Sequence, residues 1–132
     1  MNGEKFNSDR APQAVGLYPH ARKVGDLLFL SGVGPRKAGQ TEIPGVTLNA
    51  SGEIENYDIE AQCHSVFENI RFILEDAGSS WEKIVDVQVF LTNMKDDFKT
   101  YRFRFSTLES SSIGSFHYAS TTTSDYIISS IS

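Results

Sequence analysis

The chain predicts an α+β domain, a mixed sheet carrying two helices on one face, and three stretches carry that reading. Residues 21–31 hold two short apolar runs about a Gly-Asp pair, residues 58–78 keep the period of a one-sided helix, and residues 84–91 form a β-branched run. The 132 residues, 39% of them apolar, suit one domain with a single modest core.

Taken in order, residues 1–10 form a polar lead. Ala21 to Val24 and Leu27 to Ser31 then read as two strands joined by the two-residue turn Gly25-Asp26, a hairpin signal. Gly32, Gly34, Pro35 and Gly39 break the pattern, and the polar excursion through Ile43-Pro44-Gly45 to Asn56 reads as a loop with one short strand at Val46 to Leu48. Asp58 is a good N-cap, and from it apolar side chains recur at Ile59, Cys63, Val66, Phe67, Ile70, Ile73, Leu74 and Ala77. Gly78 supplies the stop. Glu60, Gln62, Glu68, Arg71 and Glu75 fall on the opposite face, so the helix should lie on a sheet with one side in water. In the run from Ile84 to Leu91, Val85, Val87, Val89 and Leu91 share one face, with Asp86 and Gln88 on the other. Asp96 or Asp97 would cap a second helix with Phe98, Tyr101, Phe105 and Leu108 on one stripe. The main domain is thus expected to run over residues 11–105.

Composition changes at its end. From Ser106 to Ser132 ten of 27 residues are serine and four are threonine, no lysine or arginine remains, and Glu109 and Asp125 are the acids. This tail is expected to be mostly irregular, with Tyr126-Ile127-Ile128 able to pair as a short strand.

The formal net charge is −5 and there is no basic run, which argues against a nucleic-acid binder. No apolar run approaches the roughly 20 residues needed to cross a bilayer. The single cysteine, Cys63, cannot form an internal disulfide, and residues 1–10 lack the apolar core of a secretory signal, so a cytoplasmic location is expected. Walker, Rossmann, HExxH and CxxC patterns are absent. Cys63 sits on the apolar helical stripe and reads as core; His64 beside it reads as surface, and His117 has no visible partner.

The chemistry therefore rests on quieter features. Tyr18, His20 and Arg22 alternate about the first strand, and residues two apart in a strand share a face. Ser31-Gly32 ends the Leu27 run, where backbone N–H groups left free by the ladder could bind a carboxylate or polarise a carbonyl. Arg36, in Gly34-Pro35-Arg36, could make a bidentate carboxylate contact. For each of these the plain alternative is an ordinary polar edge, a strand-ending turn or a solvated arginine.

Taken together, APQAVGLYPHARKVGDLLFLSGVGPR and YDIEAQCHSVFENIRFILEDAGSSWEKIVDVQVFLTNMKDDF resemble the Rid (reactive intermediate deaminase, YjgF-type) family over residues 11 to 101. The loop holding GPR and EIPGVTLNASGEI, followed by YDIEAQC, is similar to the 2-aminomuconate deaminase branch. The resemblance implies a chorismate-mutase-like protomer in a homotrimer with sites between subunits and no metal or organic cofactor. It also implies hydrolysis of enamines and imines with release of ammonia, in the breakdown of tryptophan or aminophenol-type aromatics. By position Tyr18 matches the family's tyrosine at the pocket wall, and Ser31 and Gly32 match its strand-end pair, with substrate contact and backbone hydrogen bonding as the implied roles. Arg36 is assigned to the distal carboxylate of the substrate.

The chain also departs from that pattern. The family's proline-arginine-threonine segment, whose arginine clamps the substrate carboxylate, and its later glutamate have no counterpart after Tyr101, and Arg102 and Arg104 lie too early, on the predicted helix. A reading-frame change near codon 102 would leave such a tail. A broad-specificity enamine deaminase and a non-catalytic metabolite- or protein-binding trimer are the two alternative readings.

Overall fold

A computed structural model describes residues 3–107, 115–120 and 128–131. Six strands form one sheet in the order β1-β2-β3-β8-β6-β7, and β4 and β5 form a separate two-stranded ribbon. The sheet strands are β1 (Glu4–Phe6), β2 (Ala21–Val24), β3 (Leu27–Leu30), β6 (Asp86–Leu91), β7 (Ser115–Ser120) and β8 (Ile128–Ile131); the ribbon strands are β4 (Val46–Leu48) and β5 (Ile54–Tyr57). The helices are α1 (Ile59–Asp76) and α2 (Met94–Thr107). The sheet is mixed, because β6 pairs β7 in parallel and β8 antiparallel. No helix among the described residues is long and apolar enough to cross a membrane.

Alternation decides which face of the sheet is buried. Leu28 and Leu30 of β3 and Val87, Val89 and Leu91 of β6 are buried with Cys63, Val66, Phe67, Ile70, Ile73 and Leu74 of α1, so that helix covers one face. Leu27 and Phe29, pointing the other way, are 43% and 41% exposed. The Asp58 carboxylate caps α1 by accepting from the N–H groups of Glu60 and Ala61 at 3.0 and 3.2 Å. Cys63 is fully buried and burial pushes its thiol far up, so it is a core residue, and His64 is exposed.

Several boundaries differ from expectation. The lead is not featureless, since Glu4–Phe6 pairs with β2. The excursion to Asn56 contains a second strand: Val46 pairs Tyr57 and Thr47 pairs Asn56. Gly45, just before β4, packs against the start of α1 at φ +76°, and a Cβ there would lie 2.9 Å from the Asp58 carbonyl oxygen, so only glycine fits. Gln62, placed by the helical period on the wet face, is 1% exposed and its Oε1 has no partner. Val85 lies outside β6 and is 40% exposed, because a short 3-10 turn at Trp81–Lys83 delays the strand to Asp86. The cap of α2 is Asn93 rather than Asp96 or Asp97: Asn93 Oδ1 accepts from Asp96 N–H at 3.3 Å and its amide donates to the Asp96 carboxylate at 2.8 Å. Asp97 is buried instead, takes a 2.9 Å hydrogen bond from the Tyr57 hydroxyl, and has its carboxyl held above the usual range by that burial.

The largest difference lies in the tail. Residues 115–120 run alongside the whole of β6, and residues 128–131 fill the gap between β3 and β6, so the sheet is not left open. Ladder pairing is made by backbone N–H and C=O groups, and neither segment contains proline or glycine to interrupt it. Tyr126 and Ile127 of the expected short strand, and Leu108 of the expected α2 stripe, lie outside the described residues.

Candidate active site

Beyond the end of β3 the chain turns through Gly32 to Arg36, and across from it residues 11–20 run as an irregular, bent strap between β1 and β2. The two enclose a cleft of about 370 Å³. Ala11 to Val15, Tyr18 and His20 form one wall, Gly32 to Arg36 the other, with Thr41, Ile43 and Ile73 closing it. That volume fits a small molecule, and an apolar lining with a few convergent polar groups is the usual composition of such a site.

Of the four residues singled out by sequence, Tyr18, Gly32 and Arg36 line this cleft together. Ser31 does not. Its hydroxyl donates to the Pro19 carbonyl at 2.7 Å and its N–H, expected to be free at the strand end, donates to the His20 carbonyl at 3.0 Å. Ser31 therefore holds the strap against β3. Arg22, two residues beyond His20, lies outside the lining.

The Arg36 guanidinium donates to the Gln13 carbonyl at 3.0 Å, which ties the two walls, and it has no carboxylate partner among the described residues. Its other N–H groups are thus available for an anion. The loop that carries it is clasped from α1. Asn69 donates to the carbonyls of Gly34 (3.0 Å) and Arg36 (2.8 Å), and the Ser65 hydroxyl donates to that of Pro35 at 2.5 Å. Both helix residues are buried, although neither belongs to the apolar series. Sequence reasoning missed them; the available signal was polar residues four apart inside the buried arc of α1.

The strap is held at its start by a second clamp. Arg10 bonds Asp76 through Nε and Nη2, at 3.2 and 2.5 Å, and lies 4.6 Å over the Phe72 ring, while the Ser8 hydroxyl donates to Asp76 at 2.5 Å. The hydrogen bonds from Arg10 and then from Ser8 hold the Asp76 carboxyl below its ordinary value. The stabilisation they give is present above the ordinary carboxylate pKa and is lost as pH falls through the lowered one. Acidification below about pH 4 is accordingly expected to loosen residues 8–12, read as faster amide exchange there. Asp76→Asn should show that faster exchange already at pH 7, with little further change on acidification.

Gly16 lets Tyr18 fold back on the strap, since a Cβ at Gly16 would stand 2.9 Å from Cε1 of the tyrosine ring. Tyr18 is 43% exposed, and Val15 and Leu17 beside it are 83% and fully exposed, so the lip of the cleft is apolar and open. Among the described residues no group of three His, Cys, Asp or Glu side chains is placed to hold a metal ion.

Comparison with known proteins bears on this site. The family described as endoribonuclease L-PSP matches residues 8–108, a span that contains the whole cleft. A RutC family protein of Pyrococcus abyssi is 38% identical over 96 residues, 73% of this chain and 67% of its own length. One from Pyrococcus horikoshii is 39% identical over 93 residues, 70% of this chain and 65% of its own. The aligned part thus spans about two thirds of these relatives. Among solved structures, RidA from the Antarctic bacterium Psychrobacter superposes with a TM-score of 0.80 at 29% identity, covering 97% of each chain.

Proposed function

This chain belongs to the endoribonuclease L-PSP family, the Rid or YjgF proteins with their chorismate-mutase-like fold, and from that premise we propose that it hydrolyses enamine and imine carboxylates. The substrate proposed is 2-aminomuconate, from the oxidative breakdown of tryptophan or aminophenol-type aromatics. The observation that carries this reading is Arg36, a guanidinium without a carboxylate partner among the described residues, on the wall of a small cleft faced by Tyr18. An acidic protein has no general attraction for a dicarboxylate, so such a ligand needs a dedicated cation.

The reaction asks little of the side chains. The enamine tautomerises to the imine, water adds to the imine carbon, and the carbinolamine expels ammonia to leave the ketone. That sequence requires orientation, a proton donor and a positioned water, with no strong nucleophile. In this reading Arg36 pairs with one carboxylate, Tyr18 on the facing wall supplies its hydroxyl as a hydrogen-bond partner for the substrate, and glycine at position 32 lets the ligand approach the backbone closely. Ile43, Val33 and Ile73 keep that end of the cleft apolar. The family is described as an endoribonuclease, but a formal net charge of −5 with no run of basic residues argues against binding RNA phosphates.

A homotrimer belongs to the proposal. The exposed Leu27 and Phe29 on the uncovered sheet face, and Val15 and Leu17 at the lip, support burial against further copies. The missing proline-arginine-threonine arginine favours a second reading, a Rid-like carboxylate binder without turnover. Comparing ammonia release from 2-aminomuconate with that from an aminoacrylate-type enamine separates the branches. Preference for the dicarboxylate supports the proposal, equal turnover favours a broad-specificity deaminase, and binding without release favours the non-catalytic reading.

A further inference from the structure

We propose that His20 is the positioning residue of this site: through both ring nitrogens it fixes the strap that carries Tyr18, and so sets the width of the cleft. The main-chain N–H of Ser8 donates to His20 Nδ1 at 2.9 Å, and the Pro12 carbonyl lies 2.8 Å from Nε2. A backbone amide can only donate and a carbonyl can only accept. The two contacts together therefore require the neutral ring with its proton on Nε2.

The same residue is held through its own main chain. Its N–H donates to Asn7 Oδ1 at 3.2 Å and its carbonyl accepts from Ser31 N–H at 3.0 Å. His20 thus joins the residues before the strap, Pro12 near its start and the end of β3 at one point. Tyr18 lies two residues from that point and Gln13, the partner of Arg36, lies one residue beyond Pro12. The residues between, Ala14 to Leu17, include Val15 and Leu17 with their side chains almost wholly in solvent, so the ends must define the path of the strap. With the ring removed, the Ser8 N–H and the Pro12 carbonyl lose their partner, and Tyr18 and Gln13 are no longer held in place along their wall of the cleft, facing Gly32 to Arg36.

This inference takes its substrate from the deaminase reading, but the strap itself can be tested without turnover. Nitrogen NMR of the full chain should find the His20 ring neutral, with Nδ1 bare and a proton on Nε2; the opposite tautomer would overturn the proposal. His20→Leu should speed amide exchange over residues 11–19 and weaken binding of muconate, the dicarboxylate lacking the amino group, by about tenfold each. His20→Gln, whose amide offers one acceptor and one donor side by side, should restore much of both. A drop in thermal stability with unchanged exchange and unchanged muconate affinity would show a merely structural histidine and overturn the assignment. If exchange and muconate binding respond as stated while the natural chain releases no ammonia, the positioning role stands and the deaminase reading falls.

Discussion

Arg36→Ala should raise the KM for 2-aminomuconate, and the Kd for muconate, by roughly ten- to a hundredfold, the range set by losing a charge-assisted pair with a carboxylate. The expectation rests on the placement of the guanidinium at the cleft wall with one hydrogen bond, to the Gln13 carbonyl, and no carboxylate partner among the described residues. Two controls separate the ligand contact from the tie between the walls. Arg36→Gln can keep a single donor toward Gln13 but carries no charge, so it should behave like alanine toward the dicarboxylate while leaving amide exchange of the strap near normal. Arg36→Lys keeps the charge without the planar fork and should fall between the two. An unchanged KM in Arg36→Ala would reduce the residue to a strut and remove the carboxylate assignment.

Asn69→Ala is expected to have the largest effect on stability among the residues around the cleft. The Asn69 side chain is 3% exposed and gives its amide protons to the carbonyls of Gly34 and Arg36. Losing it leaves two carbonyl groups without that partner, at a cost of about 1–3 kcal/mol each where water cannot replace it. For a domain of this size that corresponds to a fall in Tm on the order of 5–15 °C. Asn69→Asp should be worse, because a carboxylate would face two carbonyl oxygens in a buried position. Arg36 rides on the same loop, so muconate affinity should fall with stability in both variants, whereas a core truncation such as Leu74→Ala should lower Tm with much less effect on Kd. Calorimetry and titration on one preparation of each variant read both quantities.

What sequence made legible was set by periodicity. The α1 stripe, its Asp58 cap, the β2–β3 hairpin and β6 all express a side-chain pattern, and each lies within a residue or two of where it was read. Elements made chiefly by backbone pairing were hardly legible: the β5 partner of the ribbon and the parallel β7 gave no signal, and the short strand expected at residues 126–128 meets the inserted β8 at Ile128 without naming its neighbours. The site divided in the same way. Tyr18, Gly32 and Arg36 could be picked by residue type near a strand end, and they meet at one cleft. Ser31 could be picked too, but its hydroxyl partner, the Pro19 carbonyl, lies before the start of β2, outside the paired strands that the hairpin signal names. Ser65, Asn69 and the Arg10–Asp76 clamp act over separations of 30 to 66 residues, where a single sequence offers only their polarity as a hint. The tail is the sharpest case, since its composition argued for irregular chain while residues 128–131 pair in the middle of the sheet and residues 115–120 at its edge.

The most direct test of the account is ammonia release from freshly generated 2-aminomuconate by the purified chain, with the molecular mass of the same sample measured by light scattering. The account predicts turnover by a species of three copies. A well-folded trimer that binds muconate and releases no ammonia would contradict it, and would leave a carboxylate-binding protein built on the same cleft.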